Sequence, residues 1–118
     1  MSSFTDPLTV TKIGERLWRV EREFTYYIGK ENSNDFVTVP KGFETDFASV
    51  PRGLWNILPP DGFYTQAAVL HDFMCAHPEL YLKSKADFVF YEAMGVLGVP
   101  WFNRIIMYLA VRFWHIAS

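Results

Sequence analysis

Six polar residues near the middle of the chain have types and spacings suited to chemistry. They combine hydroxyls, carboxylates and one imidazole: Thr45, Asp46, Ser49, His71, Asp72 and Asp87. A histidine can act as a general base near neutral pH when a neighbouring group fixes its tautomer. Carboxylates can orient such a histidine, and together with other oxygens they bind calcium. We therefore take these six residues as the candidate site.

His71 and Asp72 interrupt a segment, Ala67 to Ala76, that is otherwise apolar, so both should lie in or beside a core. A buried carboxylate needs a partner or a metal, and the nearest unexplained acid upstream of Asp72 is Asp46. Neighbouring residues of a helix point about 100° apart. We expect Asp72 to face the preceding loop, where Asp46 and carbonyls would complete a calcium site, and His71 to face Asp87.

Each of these residues also has a structural interpretation. Asp87 could cap its own helix, Asp46 could form an Asx-turn, and His71 could be a core histidine bonded to a backbone carbonyl. Ser49 could be a nucleophile with His71 as its base. However, Ser-Val-Pro lacks the strained turn of the Gly-x-Ser-x-Gly motif.

The elements that must position these residues indicate an α+β fold in a single domain, residues 1–118. Residues 1–7 are polar and are predicted to form a loose arm. Alternation of apolar and polar residues predicts strands over 8–13, 16–28 and 36–39, which together form a small antiparallel β-meander. The long strand should bury one face, made of Trp18, Val20, Phe24, Tyr26 and Ile28.

Helical patterns dominate the rest of the chain. Proline and glycine breaks divide it into a short helix over 52–58 and three longer ones over 64–77, 84–97 and 101–115. The helices that carry His71 and Asp87 should form an antiparallel hairpin. Ser84, followed three residues later by Asp87, is typical of a helix N-cap.

Composition excludes several classes of function. The net charge of −2 and the lack of a basic cluster argue against a nucleic-acid partner. The single cysteine, Cys75, excludes an internal disulfide and a cysteine-rich zinc site, and its apolar surroundings predict a core position. The polar N-terminus does not have the pattern of a signal peptide.

The last helix is apolar on nearly all sides, and Arg104 and Arg112 interrupt any run long enough to span a bilayer. We expect it to pack against the sheet or in a homo-oligomer contact. The alternative is contact with a membrane surface, since tryptophan and tyrosine favour that depth.

Three segments together resemble a family of uncharacterised proteins from tailed phages and prophages. They are Gly42-Phe43-x-Thr45-Asp46-x-Ala48-Ser49-x-Pro51, Ala67-Ala68-x-x-His71-Asp72 and Ala86-Asp87-x-x-Phe90. The resemblance covers the chain from about residue 8. It implies a viral or prophage origin, with the protein in the host cytoplasm or the virion, and it brings no established activity.

The same segments are more distantly similar to the core of the prokaryotic type of phospholipase A2. That resemblance implies that His71 is a general base oriented by Asp87, and that Asp46, Asp72 and a carbonyl near Phe47 bind calcium. The chain departs from that family at three positions, where Ala48 and Ala68 replace cysteines and Cys75 replaces an aromatic residue.

Three functions remain open at this point. The leading hypothesis is a phage or prophage component without enzymatic activity, which acts in the virion, in assembly or on a host factor and therefore binds a phage or host protein. The first alternative is a calcium-assisted, phospholipase A2-like esterase with a His71–Asp87 dyad. The second is a membrane-interface lysis or exclusion protein.

Overall fold

The computed structural model describes residues 3–15, 17–46 and 65–117, with side chains up to residue 113. Its order of elements confirms the α+β prediction, because six short strands precede three helices. The strands are β1 (Ser3–Phe4), β2 (Val10–Gly14), β3 (Leu17–Val20), β4 (Phe24–Tyr27), β5 (Phe36–Val39) and β6 (Glu44–Thr45). The helices are α1 (Thr65–Ala76), α2 (Lys83–Val96) and α3 (Trp101–Ala117).

The strands form two antiparallel three-stranded sheets. One sheet has the order β1-β4-β5, and the other has the order β2-β3-β6. The single strand predicted over 16–28 is therefore wrong, since β3 and β4 belong to different sheets. Three charged residues separate them, and the Arg22 guanidinium among these pairs with Asp6 at 2.8 Å. A bend of this kind lets a chain pass from one sheet to the next.

The predicted buried face is present despite that bend. Val20, Phe24 and Tyr26 have at most 1% of their surface exposed, and Trp18 and Ile28 pack against the same core. The bend preserves the alternation, because Phe24 follows Val20 by four positions, an even number. Both sheets therefore contribute apolar side chains to one core.

The N-terminal residues differ from the loose arm that the sequence predicts. Ser3 and Phe4 pair with Tyr27 and Tyr26 of β4. The Phe4 ring lies 4.6 Å from the Tyr26 ring and 5.8 Å from the Phe24 ring, measured between centroids. An aromatic side chain that can pack on two others gives this short segment a reason to join the sheet.

The helices begin and end within a few residues of the predicted positions. The N-cap prediction at Ser84 is wrong, because α2 begins at Lys83 and its N-cap is Leu82, without a side-chain cap hydrogen bond. Gly98, with a φ of +89°, separates α2 from α3 as expected. The short helix predicted over 52–58 lies outside the described residues.

The core lies between the sheets and the first two helices, and α3 covers α2. Helix α1 is buried along most of its length and contacts β5 and β6. Met107 and Val111 of α3 are fully buried. Within the described part of the chain, no helix is long and apolar enough to cross a membrane.

Candidate functional site

His71 and Asp87 meet between α1 and α2. The His71 Nε2 atom lies 2.7 Å from Asp87 Oδ1, and both side chains are completely buried. Four residues beyond His71, Cys75 lines the same cavity as Lys83, which lies four residues before Asp87. The two helices therefore run antiparallel, as the sequence predicts.

The Asp87 carboxylate has two further donors besides His71. Lys83, one turn earlier on α2, donates from Nζ to Oδ1 at 2.7 Å and to Oδ2 at 2.6 Å. Arg112 of α3 donates from Nη1 to Oδ2 at 2.7 Å. The Lys83 ammonium also donates to the Val111 carbonyl oxygen at 2.7 Å. One carboxylate thus connects all three helices, and we call His71, Lys83, Asp87 and Arg112 the buried network.

The protonation states in the buried network follow from these contacts. Burial opposes ionisation of Asp87, but the hydrogen bonds from His71, Lys83 and Arg112 together lower its pKa to about 2. Burial lowers the pKa of His71, although Asp87 opposes that shift. A neutral His71 beside an ionised Asp87 must carry its proton on Nε2, so that Nδ1 holds the lone pair.

Cys75 is next to this pair, one turn beyond His71. Its Sγ atom lies 3.6 Å from Nε2 and 3.9 Å from Nδ1 of His71. With Met74, Pro78, Tyr81 and Lys83 it lines a cavity of about 260 Å³. The carboxylate, the imidazole and the thiol are arranged as in a site where a histidine activates a cysteine nucleophile. However, burial raises the pKa of Cys75 to about 11. At neutral pH the group is therefore a thiol, which is a poor nucleophile.

Asp72 points away from His71, toward the loop, as the helical geometry predicts. Its Oδ2 atom accepts a short hydrogen bond from the Thr45 hydroxyl of β6. Thr45 is buried, whereas Asp46, the next residue, is exposed. Of the six candidate residues, His71 and Asp87 form one pair and Thr45 and Asp72 form another. Ser49 and the carbonyl near Phe47 lie outside the described residues.

The structure gives no additional support to the calcium hypothesis. Among the described residues, no group of three or more His, Cys, Asp or Glu side chains is arranged to hold a metal ion. Loop carbonyls, which a calcium site would also need, fall partly in residues 47–64, beyond the described part. The calcium site over Asp46 and Asp72 therefore stays a prediction.

The sequence interpretation missed Lys83 and Arg112, which both contact Asp87. Lys83 had a detectable signal, because residues four apart on a helix are neighbours and an acid and a base at that spacing often pair. Arg112 had none, since its contact depends on how α3 packs against α2. Cys75 was assigned only to the core, and its contact with His71 follows from the same four-residue spacing.

Comparison with known proteins gives one curated relative and one family. The chain is 38% identical over 77 residues to the uncharacterized protein y4jT of Sinorhizobium fredii (strain NBRC 101917 / NGR234). That match covers 62% of this chain but only 22% of the relative, so the chain spans less than a quarter of the relative's length. No solved structure gives a significant match.

The model of a family described as "Protein of unknown function (DUF1353)" matches residues 18–111. This range runs from β3 through the contacts of Asp72, His71 and Asp87 to Val111 in α3. Since the match spans most of the chain, the protein belongs to the DUF1353 family.

Proposed function

We propose that this protein is a non-enzymatic binding component in which the buried network fixes the packing of the three helices. The observation that carries this proposal is the complete burial of His71 and Asp87. A general base must reach the proton that it abstracts directly or through one water, and a side chain with no exposed surface does not meet that need.

The charges in the buried network support the same role. The two oxygens of Asp87 accept hydrogen bonds from His71, Lys83 and Arg112, so the carboxylate is compensated by two cations and one imidazole. When a buried charge is compensated by several donors, removal of any one of them leaves the charge less compensated and destabilises the fold. Its location between three helices is well suited to fixing how they pack.

The partner class follows from the resemblance to tailed-phage and prophage proteins. We propose a phage or host protein as the partner, with the chain acting in the virion, in assembly or on a host factor. The high aromatic content of 18% fits this proposal, because aromatic residues are enriched at the centres of protein interfaces.

Replacement of His71 tests whether the buried network is structural. The His71→Gln variant places an amide where a ring now packs on Phe90 and donates to Asp87. We expect a loss of about 1–3 kcal/mol in the free energy of unfolding, measured by urea denaturation at pH 7. The control is His77→Gln, which changes a partly exposed histidine paired with Glu79 and should cost less than about 0.5 kcal/mol. A loss in His71→Gln no larger than in the control contradicts the structural role.

Replacement of Asp72 separates a structural carboxylate from a calcium ligand. Asp72→Asn weakens the acceptor of the Thr45 hydroxyl, so we expect a lower melting temperature both with millimolar calcium and with chelator. A calcium ligand behaves differently, because bound metal stabilises only the folded state. If calcium raises the melting temperature of the wild type and not that of Asp72→Asn, then Asp72 is a calcium ligand and the calcium-assisted hydrolase is favoured over the non-enzymatic proposal.

The second candidate function is a phospholipase A2-like hydrolase, and one observation favours it. The His71–Asp87 pair lies beside the cavity that Cys75 and Lys83 line, so a modest opening between α1 and α2 would bring solvent to the ring. Hydrolysis of phosphatidylglycerol vesicles that requires calcium, and that disappears in a folded His71→Gln variant, would establish this function in place of the first.

A further inference from the structure

Helix α3 has an outward face made of large apolar side chains. Trp101, Phe102, Ile105, Leu109 and Phe113 expose between 39% and 64% of their surface. Single exposed apolar residues are common on soluble proteins, but a contiguous patch on one helix marks an interaction surface. We call these five residues the α3 face.

Four members of the α3 face, Trp101, Ile105, Leu109 and Phe113, are spaced four residues apart. Residues at this spacing form one ridge on a helix, here about 18 Å long at a rise of about 1.5 Å per residue. Two such ridges interdigitate when the helices cross at about −50°, the most common class of helix packing. The α3 face therefore has the shape that packs against another copy of itself.

Charge also favours a second copy over an anionic membrane. Helix α3 contains no acidic residue. Arg112 is paired with Asp87, and Arg104 lies 5.2 Å from the centre of the Tyr91 ring. The basic side chains that would attract an anionic lipid surface are thus engaged within the fold, and the whole chain carries a net charge of −2. An apolar face without competing charges can meet its own copy without repulsion.

The exposed area is sufficient for a modest dimer. Large apolar side chains offer about 150–250 Å² each, so the α3 face exposes roughly 500–600 Å². Two copies would bury roughly 1,000–1,200 Å² from these residues alone, near the lower limit for stable protein interfaces. Surrounding residues would add to that area.

We propose that the protein forms a two-fold symmetric homodimer in which the α3 faces of two copies pack antiparallel. In this arrangement Ile105 of each copy faces Leu109 of the other at the centre of the interface, and Trp101 faces Phe113 at both ends. The proposal rests on the α3 face and not on the buried network. It can therefore be tested independently of the function proposed above.

Paired charge substitutions test both the dimer and its register. Sedimentation velocity of the full chain should give twice the monomer mass. Ile105→Lys and Leu109→Glu should each weaken association by roughly tenfold or more, because each puts a charge against an apolar side chain at the centre of the interface. In the antiparallel dimer, the double variant Ile105→Lys/Leu109→Glu brings the two introduced charges opposite each other. Association should then recover to within about threefold of the wild-type dissociation constant.

The control is Leu80→Glu, which changes an exposed leucine outside α3 and should leave the dimer intact. Helical circular dichroism should match the wild type in all variants, since the α3 positions chosen are partly exposed. A monomeric wild type overturns the proposal, as does a double variant that is no better than either single variant. Binding of a monomer to phosphatidylglycerol vesicles through Ile105 and Leu109 would assign the α3 face to a membrane and also overturn it.

Discussion

The Asp87 carboxylate is fully buried and stays ionised because three donors surround it. Two of the donors are the basic side chains of Lys83 and Arg112, whereas His71 is neutral and orients its proton toward the carboxylate. The local electrostatics therefore favour a neutral histidine and an ionised acid, which is also the state that a general base would need. The burial of the His71–Asp87 pair, and not its protonation state, therefore distinguishes the structural role from the catalytic one.

As pH is lowered, the free energy of unfolding should fall in two steps, the first due to His71 and the second due to Asp87. The pKa of His71 is lowered from 6.5 by burial, so below about pH 6.5 the unfolded state binds a proton that the folded state does not, and stability falls with pH. The pKa of Asp87 is lowered from 3.8 to about 2, so its contribution, about 2–3 kcal/mol at roughly 1.4 kcal/mol per pKa unit, is present above pH 3.8 and lost as pH falls toward 2.

Urea denaturation at intervals between pH 8 and pH 2 measures both steps. The first step should be reduced in the His71→Gln variant and retained in His77→Gln, because His71 is buried and His77 is partly exposed. Stability that is flat between pH 7 and pH 5 would mean that His71 has similar pKa values in the folded and unfolded states.

Much of the site at this scale could be predicted from the sequence. The angle of about 100° between adjacent helical residues correctly predicts that the His71 and Asp72 side chains point in different directions. It also predicts that His71 faces the helix that carries Asp87. The partner of Asp72 was harder to predict. The Thr45 hydroxyl bonds Asp72 because β6 brings the buried Thr45 against α1, whereas the expected association of Asp72 with Asp46 stays a prediction.

At the scale of elements, Lys83 joins α2 to α3, since its ammonium bonds both Asp87 and the Val111 carbonyl oxygen. Lys83→Met keeps most of the aliphatic stem but removes one of the two cations beside a buried carboxylate. We expect a loss of about 1–3 kcal/mol in the free energy of unfolding by urea denaturation at pH 7.

Lys85→Met is the matched control on the same helix. Lys85 pairs with Asp35 at 2.9 Å, and both side chains are more than 40% exposed, so the change should cost less than about 0.5 kcal/mol. Equal effects of the two variants would show that the Lys83 contacts contribute no more than a surface ion pair.

The elements themselves were predicted with uneven success, and the reason is physical. Long apolar helices are set by local patterns, so α1, α2 and α3 are within a few residues of their predicted bounds. Strand β6 has two residues and exists only because Glu44 and Thr45 pair with β3, which no local pattern reveals. The break between β3 and β4 likewise depends on which sheet each strand joins, since alternation continues across it.

At the scale of the whole molecule, polar contacts among the described residues link the sheets to the helices. One is the Thr45–Asp72 bond, and another is the contact of Glu92 in α2 with β4 and the turn after it. The Tyr26 hydroxyl donates to Glu92 Oε1 at 2.6 Å, and the Gly29 backbone N–H donates to the same oxygen at 3.1 Å. These links suggest that sheets and helices unfold as one cooperative unit.

The Tyr26→Phe substitution tests that unit, because it removes one hydroxyl and leaves the buried ring in place. We expect a loss of about 1–2 kcal/mol, since the lost bond goes to a carboxylate.

Tyr27→Phe on the same strand is the control. Its hydroxyl has no hydrogen bond within the described part of the chain, and the change should cost less than about 0.5 kcal/mol. Urea transitions followed by far-ultraviolet dichroism, which reports mainly the helices, and by the backbone amide NMR signals of β4 and β5, which report one of the sheets, should shift together. Separation of the two transitions in Tyr26→Phe, with coincident transitions in Tyr27→Phe, would mean that the halves fold independently and that Glu92 is what couples them.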